Sequence, residues 1–237
     1  MKLNGNGLIV LLAGVGFAMY AIYDIAEEQT VDYSGYFAEY DYGCLAMLDL
    51  ESGQWTRHNP SLCAKRFSPA STFKIYNSLI GLETGVLRGP SEFIAWDGVK
   101  RDRDALNRDH TLRSAVRESV VWYFEEVARR VGPERMARYI EAMNYGNGDS
   151  SGWADPFWLG STLEISADEQ VELLRRLLRG ELPFAQRHVK TVTGLLDQSN
   201  GGSSGFYGKT GSVILPTGAG LGWFVGWVQR DGHTRLF

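Results

Sequence analysis

Ser71 and Lys74 put a hydroxyl and an amine three residues apart in the stretch Ser68-Pro69-Ala70-Ser71-Thr72-Phe73-Lys74. On a helix that spacing sets both on one face, about one turn apart. A serine hydroxyl is a weak nucleophile until a neighbouring base takes its proton, and an amine can be that base only when it is kept neutral. The chemistry this pair would support is attack on a carbonyl through a covalent serine intermediate. S-x-x-K is also short enough to arise by chance. The competing reading is an ordinary helix-start serine beside a surface lysine.

The elements around the pair favour a helix. Pro69 precedes the apolar run Ile75 to Leu87, and Gly85 and Gly89 lie at its far end, which is the punctuation of a helix start and stop. Upstream, Gly43 to Leu50 reads as a strand, Glu51-Ser52-Gly53 as a turn and Gln54 to His58 as its partner. Residues 89–109 are polar and without a period, a long surface connection. Helices are expected over Thr111 to Arg117, Ser119 to Val131 and Glu134 to Met143, the last two divided by Gly132-Pro133. Asn144 to Asp149 is turn-forming and Trp153 to Gly160 is an aromatic loop. Ser166 to Glu169 is a capping box ahead of Val171 to Leu178, and a further helix covers Phe184 to Asp197. Asn200 to Gly205 is a glycine-serine turn, followed by strands at Phe206 to Leu215 and Leu221 to Gln229. Strands at both ends and helices between them predict an α+β fold, an antiparallel sheet with an inserted helical lobe.

The chain has 237 residues, 44% apolar and 22% charged, enough for one sizeable core. A net charge of -4 argues against nucleic acid as a partner. Leu8 to Tyr23 is an apolar run behind Met1 and Lys2, shorter than a full membrane span. Residues 1–26 are therefore expected to be a signal peptide or an uncleaved anchor, residues 27–237 the domain proper, and the protein exported to the periplasm or outside. Membrane contact is expected through that N-terminal segment alone. Cys44 and Cys63 flank the expected hairpin, so an exported chain could join them in a disulfide or keep two free thiols. The four histidines (His58, His110, His188, His233) are scattered, and no metal site is expected.

Three further short motifs follow: Ser119-Val120-Val121, Tyr145-Gly146-Asn147 and Lys209-Thr210-Gly211. With Phe157-Trp158-Leu159, Gly81-Leu82-Glu83-Thr84-Gly85 and Gly226-Trp227-Val228, they make an ordered set. That set resembles the class D (oxacillinase-type) serine β-lactamases, over roughly Gly43 to Gln229. The resemblance implies the serine β-lactamase and penicillin-binding transpeptidase fold, a β-lactam substrate and no metal. It also implies that Ser71 is acylated and that Lys74 carries carbon dioxide as an N-carboxyl group acting as general base. Ser119 would relay a proton to the departing ring nitrogen; a plain N-cap is its alternative. Lys209 and Thr210 would hold the substrate carboxylate, Gly211 would allow close approach, and the Ser71 and Ser212 amides would form the oxyanion hole. An aggregation-deterring edge lysine is the alternative for Lys209. Trp158 would donate its indole N–H to the modified lysine, while Val121 and Leu159 would keep water out, unless all three are simply packing. Tyr145 and Asn147 are expected to support the cleft wall.

The chain departs from that family after the last strand. No residue matches the family's arginine beyond the K-T-G strand, since Arg230 and Arg235 lie too close to it. The sequence stops at Phe237 inside what should be the next strand. The domain is therefore expected to be C-terminally incomplete, with an unpaired sheet edge and exposed apolar surface that weaken stability and activity. The alternatives in function are a β-lactam-sensing or penicillin-binding domain that acylates but turns over slowly, and a binding module without catalysis.

Overall fold

The computed structural model describes residues 28–40, 42–152, 156–199 and 204–237. The proposed signal or anchor segment lies outside the described residues, as do parts of the aromatic loop and of the glycine-serine turn. No helix among the described residues is long and apolar enough to cross a membrane.

The strands are β1 (Gln29–Thr30), β2 (Leu45–Asp49), β3 (Trp55–His58), β4 (Phe93–Ile94), β5 (His110–Thr111), β6 (Gly205–Ile214), β7 (Gly220–Arg230) and β8 (His233–Leu236). The helices are α1 (Pro60–Cys63), α2 (Lys74–Glu83), α3 (Leu112–Glu118), α4 (Val121–Val131), α5 (Pro133–Met143), α6 (Ala167–Leu178) and α7 (Gln186–Leu195). One sheet runs β1-β3-β2-β8-β7-β6, and β4 pairs with β5 inside the helical lobe. The two ends of the chain thus build one sheet and the middle supplies the helices, as the order of elements predicts.

Packing explains why α2 lies at the centre. Every residue from Lys74 to Leu82 is buried. A helix buried all round must be covered on all sides, here by α4, α7 and the sheet side of the molecule. The amphipathic helices α4, α5 and α6 turn Phe124, Val127, Met136, Ile140, Leu173 and Leu174 into the same core. The capping box at α6 forms: the Glu169 amide donates to Ser166 Oγ (3.2 Å) and the Ser166 amide to Glu169 Oε2 (2.9 Å).

One expectation needs correction. The last strand is not an exposed edge. β8 lies between β2 (Leu48 opposite Leu236) and β7 (Trp227 opposite Leu236), and Leu236 is fully buried. The edges are β1 and β6. Sequence alone hid this because four residues of strand between two partners look the same as four residues of frayed end. Of the two readings left open for Cys44 and Cys63, free thiols are the one found, and Cys63 Sγ donates to the His58 carbonyl (3.4 Å).

Candidate active site

The Ser71 hydroxyl is presented by a tight turn. Ala70–Phe73 forms a single 3-10 turn that runs directly into α2. Ala70 has a φ of 49°, a left-handed conformation costly for a residue with a side chain. Partners far along the chain hold this strained turn in place. Ser68 Oγ donates to the Trp158 carbonyl (2.9 Å) and accepts from the Gly160 amide (2.7 Å). The Trp223 indole donates to the Ser68 carbonyl (2.9 Å), and Thr72 Oγ1 accepts from Gln170 Nε2 (2.8 Å). Ser68, Trp223 and Gln170 carry no local signal of this role, because their partners lie about a hundred residues or more away in sequence.

Lys74 Nζ donates to Ser71 Oγ at 2.6 Å and to the carbonyl and hydroxyl of Ser119 at 3.1 and 3.2 Å. Lys209 Nζ reaches the same Ser119 hydroxyl from β6 at 3.1 Å and also donates to the Thr210 carbonyl at 3.0 Å. Four residues from three separate segments therefore meet within one hydrogen-bonded chain, Ser71–Lys74–Ser119–Lys209. Lys74 is fully buried, and Ser71 is partly open to solvent. Burial, with the charge of Lys209 second, brings the Lys74 amine down to about 7. Burial, with Arg103 second, brings Lys209 down to about 8. The Lys74 ammonium position also lies 5.8 Å from the centre of the Phe124 ring.

Ser119 is not the N-cap of a helix. It is the C-cap of α3, at a left-handed φ of 56°, and α4 starts two residues later behind Val120 without a side-chain cap. Its hydroxyl is turned to the two lysines instead of to a helix end. The strained backbone at Ala70 and Ser119 brackets the pair that share the buried amine, a pattern typical of functional positions. Lys209 does stand on an edge strand, yet it is only 5% exposed, which no edge-guarding lysine would be.

On β6, Lys209 and Gly211 are buried while Thr210 and Ser212 are exposed. Gly211 permits a close approach of β6 to the Ser71 turn. A Cβ there would lie 3.1 Å from the Pro69 carbonyl and 3.2 Å from the Ser71 amide. The glycine is thus needed so that β6 can lie against the Ser71 turn itself, which sets the Ser71 amide beside the Gly211–Ser212 backbone.

Trp158 is buried, stacked on Phe73 (5.7 Å, 27°) and edge-on to Phe157 (4.9 Å, 89°). Its indole nitrogen has no hydrogen-bond partner among the described residues. An orphaned buried donor costs about 1–3 kcal/mol and calls for an explanation. Leu159 packs against the core and Val121 is partly buried at the head of α4. Tyr145 is fully buried, edge-on to Phe73 and Tyr76. Asn147 ties its turn to the following loop: Oδ1 accepts from the Asp149 and Glu164 amides, and Nδ2 donates to the Thr162 carbonyl. Arg230 pairs with Asp231 and Arg235 with Asp49, so neither makes an ion pair at this cluster.

A nucleophile, a neutralised amine, a second hydroxyl and a buried cation in one chain of hydrogen bonds can transfer an acyl group and move the protons involved. The comparisons with known proteins point the same way. The penicillin binding protein transpeptidase domain model matches residues 30–237. A probable β-lactamase YbxI of Bacillus subtilis is 39% identical over 235 residues, covering 97% of this chain and 87% of that protein. The solved class D β-lactamase BAT-2 superposes with a TM-score of 0.82 at 38% identity, covering 87% of this chain and 86% of that one. The C-terminal domain of the Bacillus licheniformis BlaR penicillin-receptor superposes at 0.83 with 30% identity, covering 88% and 85%.

Proposed function

Because this chain belongs to the class D serine β-lactamases, within the penicillin-binding transpeptidase family, we propose that it opens the β-lactam ring through an acyl-enzyme on Ser71, with Lys74 carboxylated by carbon dioxide. The observation that carries the reading is the buried Lys74 amine, 2.6 Å from Ser71 Oγ and held near neutrality.

The Lys74 side chain takes the Ser71 proton as Oγ attacks the lactam carbonyl. The amides of Ser71 and Ser212 face the oxygen that gains charge, a contribution of about 3 kcal/mol per donor in other hydrolases. Ser119 Oγ, touched by both lysines, passes a proton to the ring nitrogen as the C–N bond breaks. Lys209 and Thr210 attract the carboxylate of the substrate. Val121 and Leu159 limit the water around Lys74. The residues present fit the modification: only a neutral amine adds carbon dioxide, and the Trp158 indole is a buried donor that lacks an acceptor. When bound, the carboxyl group supplies an oxygen base for the acylation and hydrolysis steps. In this reading the enzyme is exported, its partner is the β-lactam alone, and the segment before residue 27 directs export.

The amine is neutral above about pH 7 and protonated below it. Activity is therefore expected to fall as pH drops through 7, and bicarbonate is expected to raise kcat severalfold at pH 6 relative to chloride of equal ionic strength. A steady-state assay with benzylpenicillin checks this. No response to bicarbonate where activity has fallen would remove the carboxylated lysine from the account. A receptor that acylates and holds the adduct is the second reading, favoured by the match to the BlaR domain.

A further inference from the structure

Arg103 lies outside every motif discussed above, yet it stands next to Ser119, a middle link of the hydrogen-bonded chain. It sits at the start of a short 3-10 turn, Asp104–Leu106, in the connection between β4 and β5. Its Nη2 donates to the carbonyl of Glu118, the residue before Ser119, at 2.7 Å. That bond fixes the guanidinium at the C-terminal end of α3, one residue before the Ser119 corner. The side chain is 59% exposed. Its nearest anion, Glu118, is 3.8 Å away and is shared with Arg117 at 3.1 Å. Nε and Nη1 have no hydrogen-bond partner among the described residues. The positive charge is felt at both site lysines, lowering Lys74 and Lys209 alike.

The chemistry of the substrate says what such a group would meet. In a penicillin the carboxylate is borne by the carbon bonded to the ring nitrogen, so it lies next to the atom that Ser119 must protonate. Whatever stands on either side of Ser119 therefore faces that carboxylate. Lys209 reaches Ser119 from β6, and Arg103 is held beside it through the carbonyl of the preceding residue. Neither Arg230 nor Arg235 competes for the role, because each is paired elsewhere.

We propose that Arg103 is a substrate-binding residue of this enzyme, holding the ring carboxylate of the β-lactam together with Lys209. The proposal rests on the β-lactamase reading above. A planar guanidinium anchored through Nη2, with Nε–H and Nη1–H still free to donate, suits a carboxylate acceptor better than an ammonium would. The exposed position costs the fold little when the side chain is removed.

The test compares kcat/KM of the parent, Arg103→Ala and Arg103→Lys on three compounds. These are benzylpenicillin, its neutral methyl ester, and carbenicillin, which carries a second carboxylate on the acylamino side chain. Arg103→Ala is expected to lower kcat/KM for benzylpenicillin by roughly 10-fold to 100-fold, chiefly through KM, with an unchanged melting temperature. The methyl ester should lose less than about threefold, and Arg103→Lys should recover part of the loss. Equal losses on acid and ester would overturn the proposal, as would no loss on either. So would a loss confined to carbenicillin, which would assign Arg103 to the side-chain carboxylate instead. A parent that hydrolyses none of the three compounds contradicts the β-lactamase reading itself, whatever Arg103 does.

Discussion

Lys74→Met is expected to lower kcat for benzylpenicillin by about 10²–10⁴-fold, the usual worth of a general base, without destabilising the protein at pH 6. Methionine fills nearly the same volume and needs no hydrogen bonds. The loss of activity follows because, among the described residues, the only hydrogen-bond partner of Ser71 Oγ is the Lys74 amine, at 2.6 Å. The stability half follows from linkage. An unfolded lysine titrates near 10.4, whereas the folded amine titrates near 7. Between those values the unfolded chain binds more protons than the folded one, so stability rises with pH across that window. The cost of the buried amine is fully present below about pH 7 and has vanished above about 10.4. Removing the amine therefore relieves the fold at pH 6. A melting temperature equal to or above that of the parent, combined with lost turnover, marks Lys74 as kept for chemistry at the expense of stability. Retention of activity within tenfold of the parent would sink the assignment. A large fall in melting temperature would show instead that the amine holds the Ser119 corner together.

The second large effect is structural. Gly146→Ala is expected to destabilise the fold by about 3–5 kcal/mol, combining a left-handed backbone with a forced clash. Gly146 has a φ of 50°, and a Cβ there would overlap the Glu164 carbonyl oxygen, a backbone atom that cannot swing aside. The same carbonyl accepts the Asn147 amide at 3.0 Å, so the turn and the loop would part together. At about 2–4 °C per kcal/mol for a domain this size, the melting temperature should fall by roughly 6–20 °C. Gly148, in the same turn with a φ of 73°, has open space where a Cβ would stand. Its alanine variant should lose only about 1 kcal/mol. Thermal melts of the pair separate the two. Equal shifts would mean that the backbone conformation matters and the contact with Glu164 does not.

The two expectations also show what a linear reading can and cannot reach. The paired strands β2–β3 and β6–β7, the α6 capping box and the helices between them follow from local periodicity and turn chemistry, which act over a few residues. Ser71, Lys74, Ser119 and Lys209 could be named because each sits in a short run with characteristic neighbours. Their meeting was not readable, since it depends on a strained turn at Ala70 and a second at Ser119. Ser119 was open to reading as a helix cap because a serine before an apolar run has that local preference. Tertiary contacts overrode it when two lysines claimed the hydroxyl. Gly211 also seats the Ser71 turn against β6, a long-range contact that its neighbours in sequence do not announce. Arg103 had no motif at all. It becomes visible only when the β4–β5 connection is laid against the end of α3.

The central claim is that Ser71 is acylated by a β-lactam and then released by water with the help of Lys74. Intact-protein mass spectrometry at successive times after mixing with benzylpenicillin tests it most directly, with peptide mapping to place the adduct. The account predicts a single adduct on Ser71 that rises, then disappears as many equivalents of penicillin are consumed, and that forms far more slowly in Lys74→Met. An adduct that persists on the unaltered protein would contradict hydrolysis and make the chain a penicillin receptor. An adduct elsewhere, or none, would contradict the site itself.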